Sequence, residues 1–213
     1  MNAPEVRAAY DRVAHAYANQ FSSELDGKPL DRALLDAFVE LTRGKGRILD
    51  VGCGPGQIAR YIANHGADVC GVDLSSQMIA EARARHPKIP FRESDMTALE
   101  DSDASIAGIT AFYAIVHMSL ADIERAFQEW RRVLVFGGRV LLSFHVGDER
   151  IHLGEFLGHA VSIDWTFHDH KAIEALLQRT GFAVDACLLR KGVAEVEHPS
   201  LRAYILASAC ALP

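Results

Sequence analysis

The stretch ILDVGCGPG, residues 48–56, decides the fold: an apolar run from Ile48 to Val51 passes straight into glycines at 52, 54 and 56. A helical pattern follows over 57–65. Lacking a Cβ, these glycines let the backbone turn sharply and lie close against a ligand. The spacing is G-x-G-x-G. A dinucleotide fingerprint needs glycine at 57, where the chain has Gln57, and no phosphate loop of the G-x-x-x-x-G-K-[ST] type is present.

Outward from this stretch, strands and helices alternate. Strand patterns at 47–53, 68–75, 89–96, 107–115 and 139–146 interleave with helical patterns at 57–65, 76–86 and 121–135. Upstream, Val6, Tyr10, Val13, Tyr17 and Phe21 repeat at helical spacing over 4–24, and a second helix runs from Pro29 to about residue 42, before the Gly44-Lys45-Gly46 loop. Downstream, 147–168 reads as irregular, a helix at 169–180 stops at Gly181, and FAVDACLLR (182–190) and LRAYILASA (201–209) read as strands. With no helix between them, that last pair is expected to run antiparallel. The fold class is therefore α/β, Rossmann-like, with a seven-stranded, mainly parallel sheet, an antiparallel last strand pair, helices on both faces and an N-terminal helical cap.

In doubly wound sheets ligands bind outside the carboxyl ends of the strands, where the glycine loop must lie. Asp73 closes the second strand and is placed to accept hydrogen bonds from both ribose hydroxyls of an adenosine ligand. Asp95 ends the third strand, where it can meet an adenine amino group while Met96 and Met78 pack on the ring. Singly, each is also what a surface turn would contain. Acids at the ends of successive strands, with glycines after the first, are hard to assign to chance.

On these residues the chain resembles the class I S-adenosylmethionine-dependent methyltransferases. ILDVGCGPG is similar to their first motif, GVDLS (71–75) to the second and ESDM (93–96) to the third. AFYAIVHM (111–118), RRVLVFGGRVLLSF (131–144) and the YDRVAHAY cap extend the likeness over nearly the whole chain. Ala107, where an acid commonly precedes strand four, and Phe136, where the turn often has proline, depart from the pattern. The resemblance implies one domain over 1–213: a cap (1–45), a cofactor-binding core (46–146), an acceptor-specificity insert (147–170), and a C-terminal helix with closing strands (171–213). It implies S-adenosylmethionine as cofactor, S-adenosylhomocysteine as product and direct displacement onto a small-molecule acceptor, at oxygen, nitrogen or carbon. Asp50, Gly52, Cys53 and Gly54 would hold the methionine portion, Asp73 and Leu74 the ribose, and Met78, Asp95 and Met96 the adenine. Phe112 and Tyr17 would approach the amino-acid end or cover the sulfonium.

The histidines are the sequence's candidates for a base. His117 follows strand four, His145 ends strand five, and His168 and His170 precede the penultimate helix; each titrates in the neutral range or equally lines a pocket without moving a proton. Trp165 and Phe167 in the insert could wall an acceptor or pack beneath a loop. No metal-ligand spacing is present.

Composition narrows the partners. A formal net charge of −6 gives no basic footprint for nucleic acid or an anionic membrane. No apolar run reaches the roughly 18 residues of a membrane span, and the N-terminus has no signal-peptide core, so a cytoplasmic location is expected. Cys53, Cys70, Cys187 and Cys210 are far apart, giving no disulfide framework or cluster motif; Cys70 and Cys187, in apolar runs, are expected to be buried. Oligomeric state is not legible. The rival readings are a non-catalytic S-adenosylmethionine-binding protein, and an NAD(P)-dependent oxidoreductase, against which the glycine spacing speaks.

Overall fold

The apolar runs flanking the glycines form the middle of a seven-stranded sheet. The structure, a computed structural model, describes residues 3–211. In chain order the elements are α1 (Ala3–Phe21), α2 (Pro29–Thr42), β1 (Arg47–Val51), α3 (Gln57–Asn64), β2 (Val69–Asp73), α4 (Ser76–Arg85), β3 (Phe91–Glu93), β4 (Ile106–Phe112), α5 (Leu120–Val133), β5 (Leu134–Val146), β6 (Arg150–Phe156), β7 (His159–Thr166), α6 (His170–Arg179), β8 (Phe182–Lys191) and β9 (Leu201–Ala209).

The sheet order is β3-β2-β1-β4-β5-β9-β8. β1 pairs parallel with both β2 and β4, so the strand order reverses at β1 and opens a crevice beyond its carboxyl end. β9 runs antiparallel to β5 and to β8, as the missing helix between the last strands required. Because helices cover both faces, β1 and β4 are buried almost throughout and read as continuous apolar runs. One face packs Ile123, Phe127 and Trp130 of α5 with Ile173 and Leu177 of α6; the other packs Leu35 and Phe38 of α2 with Ile58 and Ile62 of α3.

The stretch expected to be irregular is instead an antiparallel hairpin, β6–β7, separate from the main sheet. Its turn, Leu157-Gly158, has φ of 53° and 77°, the left-handed pair that a two-residue hairpin needs. Val161 and Ile163 alternate inward and bury against Ala9, Val13 and Met78. That period-two signal was present in HAVSIDWT but is only a few residues long. The first helix ends at Phe21 rather than at 24, and residues Glu24–Gly27 form a 3-10 turn. The third strand is shorter than expected, and β5 begins earlier, with Val135–Gly138 bulging between partners of Ile106 and Gly108. Cys70 is buried as expected, but Cys187 is exposed, because β8 is the sheet's edge and only part of it is covered.

Gly71, in mid-strand on β2, has a packing reason. The Phe91 ring lies over it, and an added Cβ would stand 2.4 Å from Phe91 Cδ1. Gly71→Ala should therefore lower stability by about 1–3 kcal/mol through overpacking. The urea unfolding midpoint reads this directly; it should fall, and recover in part when Phe91→Leu is added. An unchanged midpoint would mean that the ring has room to move.

Candidate active site

The glycine loop turns at the end of β1 with Gly52, Gly54 and Gly56 all at positive φ. At Gly52 a side chain is excluded twice over: φ is 65°, and a Cβ would meet that of Ala114 at 2.6 Å. Below the loop, Asp50 is almost fully buried. Its Oδ1 accepts a hydrogen bond from the Thr110 hydroxyl at 2.9 Å, and its Oδ2 accepts the Ala59 amide of the first turn of α3 at 3.2 Å. Burial pushes its pKa up to about 7, although both hydrogen bonds pull the other way.

Asp73, closing β2, is tied to the loop: its Oδ2 accepts the Gly54 amide at 2.9 Å and its Oδ1 the Ser75 amide at 2.8 Å. Burial raises its pKa too. No lysine or arginine among the described residues pairs with either carboxylate. Beyond β3, Asp95 accepts from the Thr97 amide and hydroxyl, while the Met96 carbonyl accepts the Trp130 indole N–H at 3.1 Å.

At the end of β4, Tyr113 follows Phe112 in the left-handed region, φ 54°, with its amide donating to the Ser143 carbonyl at 2.9 Å. A non-glycine residue held so costs about 1–3 kcal/mol and concentrates at functional sites. α1 roofs the crevice. Arg7 donates to the Leu74 carbonyl, Asp11 accepts from the Ser75 hydroxyl and the Gln77 amide, and Arg12 donates to Ala160 of the hairpin.

Together these parts enclose a cavity of about 620 Å³. Tyr17, Asp50, Gly52, Cys53, Gly54, Asp73, Leu74, Met78, Asp95, Met96 and Phe112 all line it, so the structure brings every residue assigned to the cofactor to one space. His117 and His145 line it as well. His168 does not: it is buried beside Val146, its ring near Phe144 and Nε2 3.2 Å from the Ile115 carbonyl, a structural tie in place of the expected base.

His117 Nδ1 lies 2.7 Å from the Asp164 carbonyl and so carries the proton; its Nε2, 2.8 Å from Tyr10, accepts that hydroxyl. Burial lowers its pKa. His145 lies nearly parallel to Phe167, with centroids 5.0 Å apart, and Nδ1 contacts the Ser200 hydroxyl. Burial first, then the Arg202 charge, bring its pKa down to about 4, leaving it neutral at pH 7.

Sequence reasoning missed the ionic cluster at this end: Glu24, Lys28, Glu197 and Arg202 also line the cavity. Lys28 pairs with Glu24 at 2.5 Å, and Glu197 with Arg190 at 2.5 Å. Burial would raise the Glu197 carboxyl, but Arg190, the Val193 amide and the neighbouring cations outweigh it and bring it to about 2. The available signal was Arg202, a lone arginine in the otherwise apolar strand LRAYILASA.

Comparison with known proteins identifies the family. Residues 48–138 match the family described as a methyltransferase domain. Malonyl-[acyl-carrier protein] O-methyltransferase of Enterobacter lignolyticus is 35% identical over 133 residues, 62% of this chain; the chain spans only 50% of that relative. Demethylmenaquinone methyltransferase of Thermus thermophilus is 30% identical over 186 residues, covering 73% of this chain and 83% of that protein. Among solved structures, magnesium protoporphyrin IX methyltransferase of Synechocystis with bound S-adenosylmethionine superposes with a TM-score of 0.74 at 15% identity, over 97% and 96% of the two chains. With its glycine loop, strand order and acids in their places, this chain belongs to the class I S-adenosylmethionine-dependent methyltransferases.

Proposed function

We propose that this chain transfers the methyl group of S-adenosylmethionine to a small-molecule acceptor held in the far half of the same cavity. One observation carries the reading. The cavity has a buried and a half-buried carboxylate without cationic partners at one end, and aromatic rings, imidazoles and a guanidinium at the other.

The near end fits the cofactor's charges. Asp50, buried, and Asp73, half-buried, are acids facing space that a sulfonium and an ammonium would make favourable. Each Asp73 oxygen accepts one amide and keeps lone-pair capacity for ribose hydroxyls. In this reading Asp50 and the Gly52–Gly54 backbone hold the methionine portion, while Asp95 and Met96 meet the adenine and Met78 packs beneath. Tyr17 and the Phe112–Tyr113 backbone close over the amino-acid end. Gln57, whose Oε1 is buried with no partner, offers that end one more acceptor.

S-adenosylmethionine supplies an activated methyl carbon on a positively charged sulfur. The protein's own task is then to align, and to keep water out. Positioning of this kind contributes roughly 7–11 kcal/mol. α1 and the β6–β7 hairpin, joined through Arg12, form the cover, and residues 147–170 supply the wall against which the acceptor rests.

Calorimetric titration with S-adenosylmethionine, S-adenosylhomocysteine, NAD and NADP tests the cofactor. Both adenosyl ligands should bind in the micromolar range, the dinucleotides should not, and Asp73→Ala should weaken the adenosyl ligands by about 100-fold, as expected for a lost charged hydrogen-bond partner. Binding of the dinucleotides alone would overturn the reading.

The Asp50 carboxyl gives the affinity a pH dependence. A cationic ligand favours the ionised form, so binding should release protons below pH about 7, and affinity should rise with pH through that region and level off above it. Titrations in buffers of different ionisation enthalpy measure the protons released. In Asp50→Asn the slope should vanish, whereas an unchanged slope would assign it to another group.

A further inference from the structure

This inference rests on the reading just given, in which the near end of the cavity takes the cofactor. The far end is organised by Arg202 on β9, which stands opposite His145 of β5 in the antiparallel register. Arg202 is 3% exposed and lines the cavity. A guanidinium so buried is expected to have its donors engaged. Only one nitrogen of this one is. Nη1 donates to the carbonyls of His198 at 2.9 Å and Ser200 at 3.0 Å, which fastens the β8–β9 loop. Nε is buried without a hydrogen bond; Glu197 Oε1 lies 3.3 Å away but out of alignment. Nη2 donates to none of the described residues.

The carboxylates nearby are already committed. Glu197 accepts both Arg190 terminal nitrogens and the Val193 amide, and Lys28 lies 3.4 Å from it. Glu24 accepts from Lys28 and from the Gln57 amide. One edge of the Arg202 guanidinium is therefore left for a ligand. Beside His145, Trp165 also lines the cavity, and its indole N–H is buried with no partner.

A second, independent observation concerns the base. A phenol, alcohol or acidic carbon as acceptor calls for a proton acceptor with a pKa near neutrality. Neither histidine put forward for that role and standing in the cavity is set for it. The His117 Nε2 lone pair is occupied by the Tyr10 hydroxyl, and His145 is a weak proton acceptor held at about 4. An acceptor that is already an anion needs no base.

We propose that the acceptor is a carboxylic acid whose carboxylate docks on the free edge of Arg202, beside Trp165 and Tyr113, and takes the methyl group on oxygen. One carboxylate oxygen forms the new bond to the methyl carbon. The carbon–sulfur bond breaks with its electron pair going to sulfur. A methyl ester and a neutral thioether result, and no proton is released.

Calorimetry on protein saturated with S-adenosylhomocysteine tests this with hexanoate, benzoate and 3-phenylpropanoate beside their primary amides. At least one acid should bind about 10-fold or more tighter than its amide, as a charge-assisted pair requires. Arg202→Gln should abolish that preference and leave the affinity for S-adenosylhomocysteine within about 3-fold of the parent, because the change lies away from the cofactor end. The comparison of acid with amide in the unaltered protein needs no variant, so it stands even if Arg202→Gln fails to fold. No preference for any acid, absence of binding included, overturns the proposal, as does a preference that survives Arg202→Gln. If S-adenosylhomocysteine itself does not bind, the cofactor reading fails first and takes this inference with it.

Discussion

The hydrogen bond from the Gly54 amide to the Asp73 carboxylate is the constraint on which the site depends. It ties the loop after β1 to the end of β2, and it works only if the loop reverses tightly enough for a backbone amide to reach a neighbouring strand's side chain. That reversal requires Gly52, at positive φ and packed on Ala114. The second Asp73 oxygen holds the Ser75 amide, and Ser75 caps α4 and donates its hydroxyl to Asp11 of the roof helix. One aspartate thus aligns the floor, one wall and the cover of the cavity.

The same arrangement costs stability. Asp50, buried, and Asp73, half-buried, are acids with raised pKa values and no cationic partner, which is unfavourable in the absence of a ligand. Tyr113 adds backbone strain at the adjoining strand end. At the far end the opposite policy holds: Lys28, Arg190 and Arg202 face Glu24, Asp31 and Glu197 in a compensated buried network, and only one guanidinium edge is left over. A cation is thereby favoured at one end and a carboxylate at the other, with the rings of Tyr17 and Tyr113 between.

How much was legible depended on whether the signal was local. The glycine loop, the strand–helix alternation and the acids at the strand ends are encoded by spacing within a few residues, and all of them were read from the chain. The paired last strands were legible because nothing helical lies between 191 and 200. The hairpin was missed because the alternation of Val161 and Ile163 inward spans only a few residues, and the preceding strand RIHLGEF is largely exposed. His168 was misplaced because its bridge beside Val146 turns the ring onto Phe144 and the Ile115 carbonyl, which residue type does not encode. The ionic cluster was illegible for another reason. Its members come from residues 24–31 and 190–202, and only the packing of the start of α2 against the β8–β9 end of the sheet brings them together. Its one local signal, Arg202 as a charge in a largely apolar strand, went unread.

A crystal structure with S-adenosylhomocysteine tests the central claim most directly. The adenine is expected between Met78 and Met96 within reach of Asp95, with both ribose hydroxyls on Asp73 and the sulfur facing the space before Arg202 and Trp165. An adenosyl group bound with its ribose away from Asp73, or its sulfur turned from that space, would contradict both the assignment of the two ends and the direction of transfer between them.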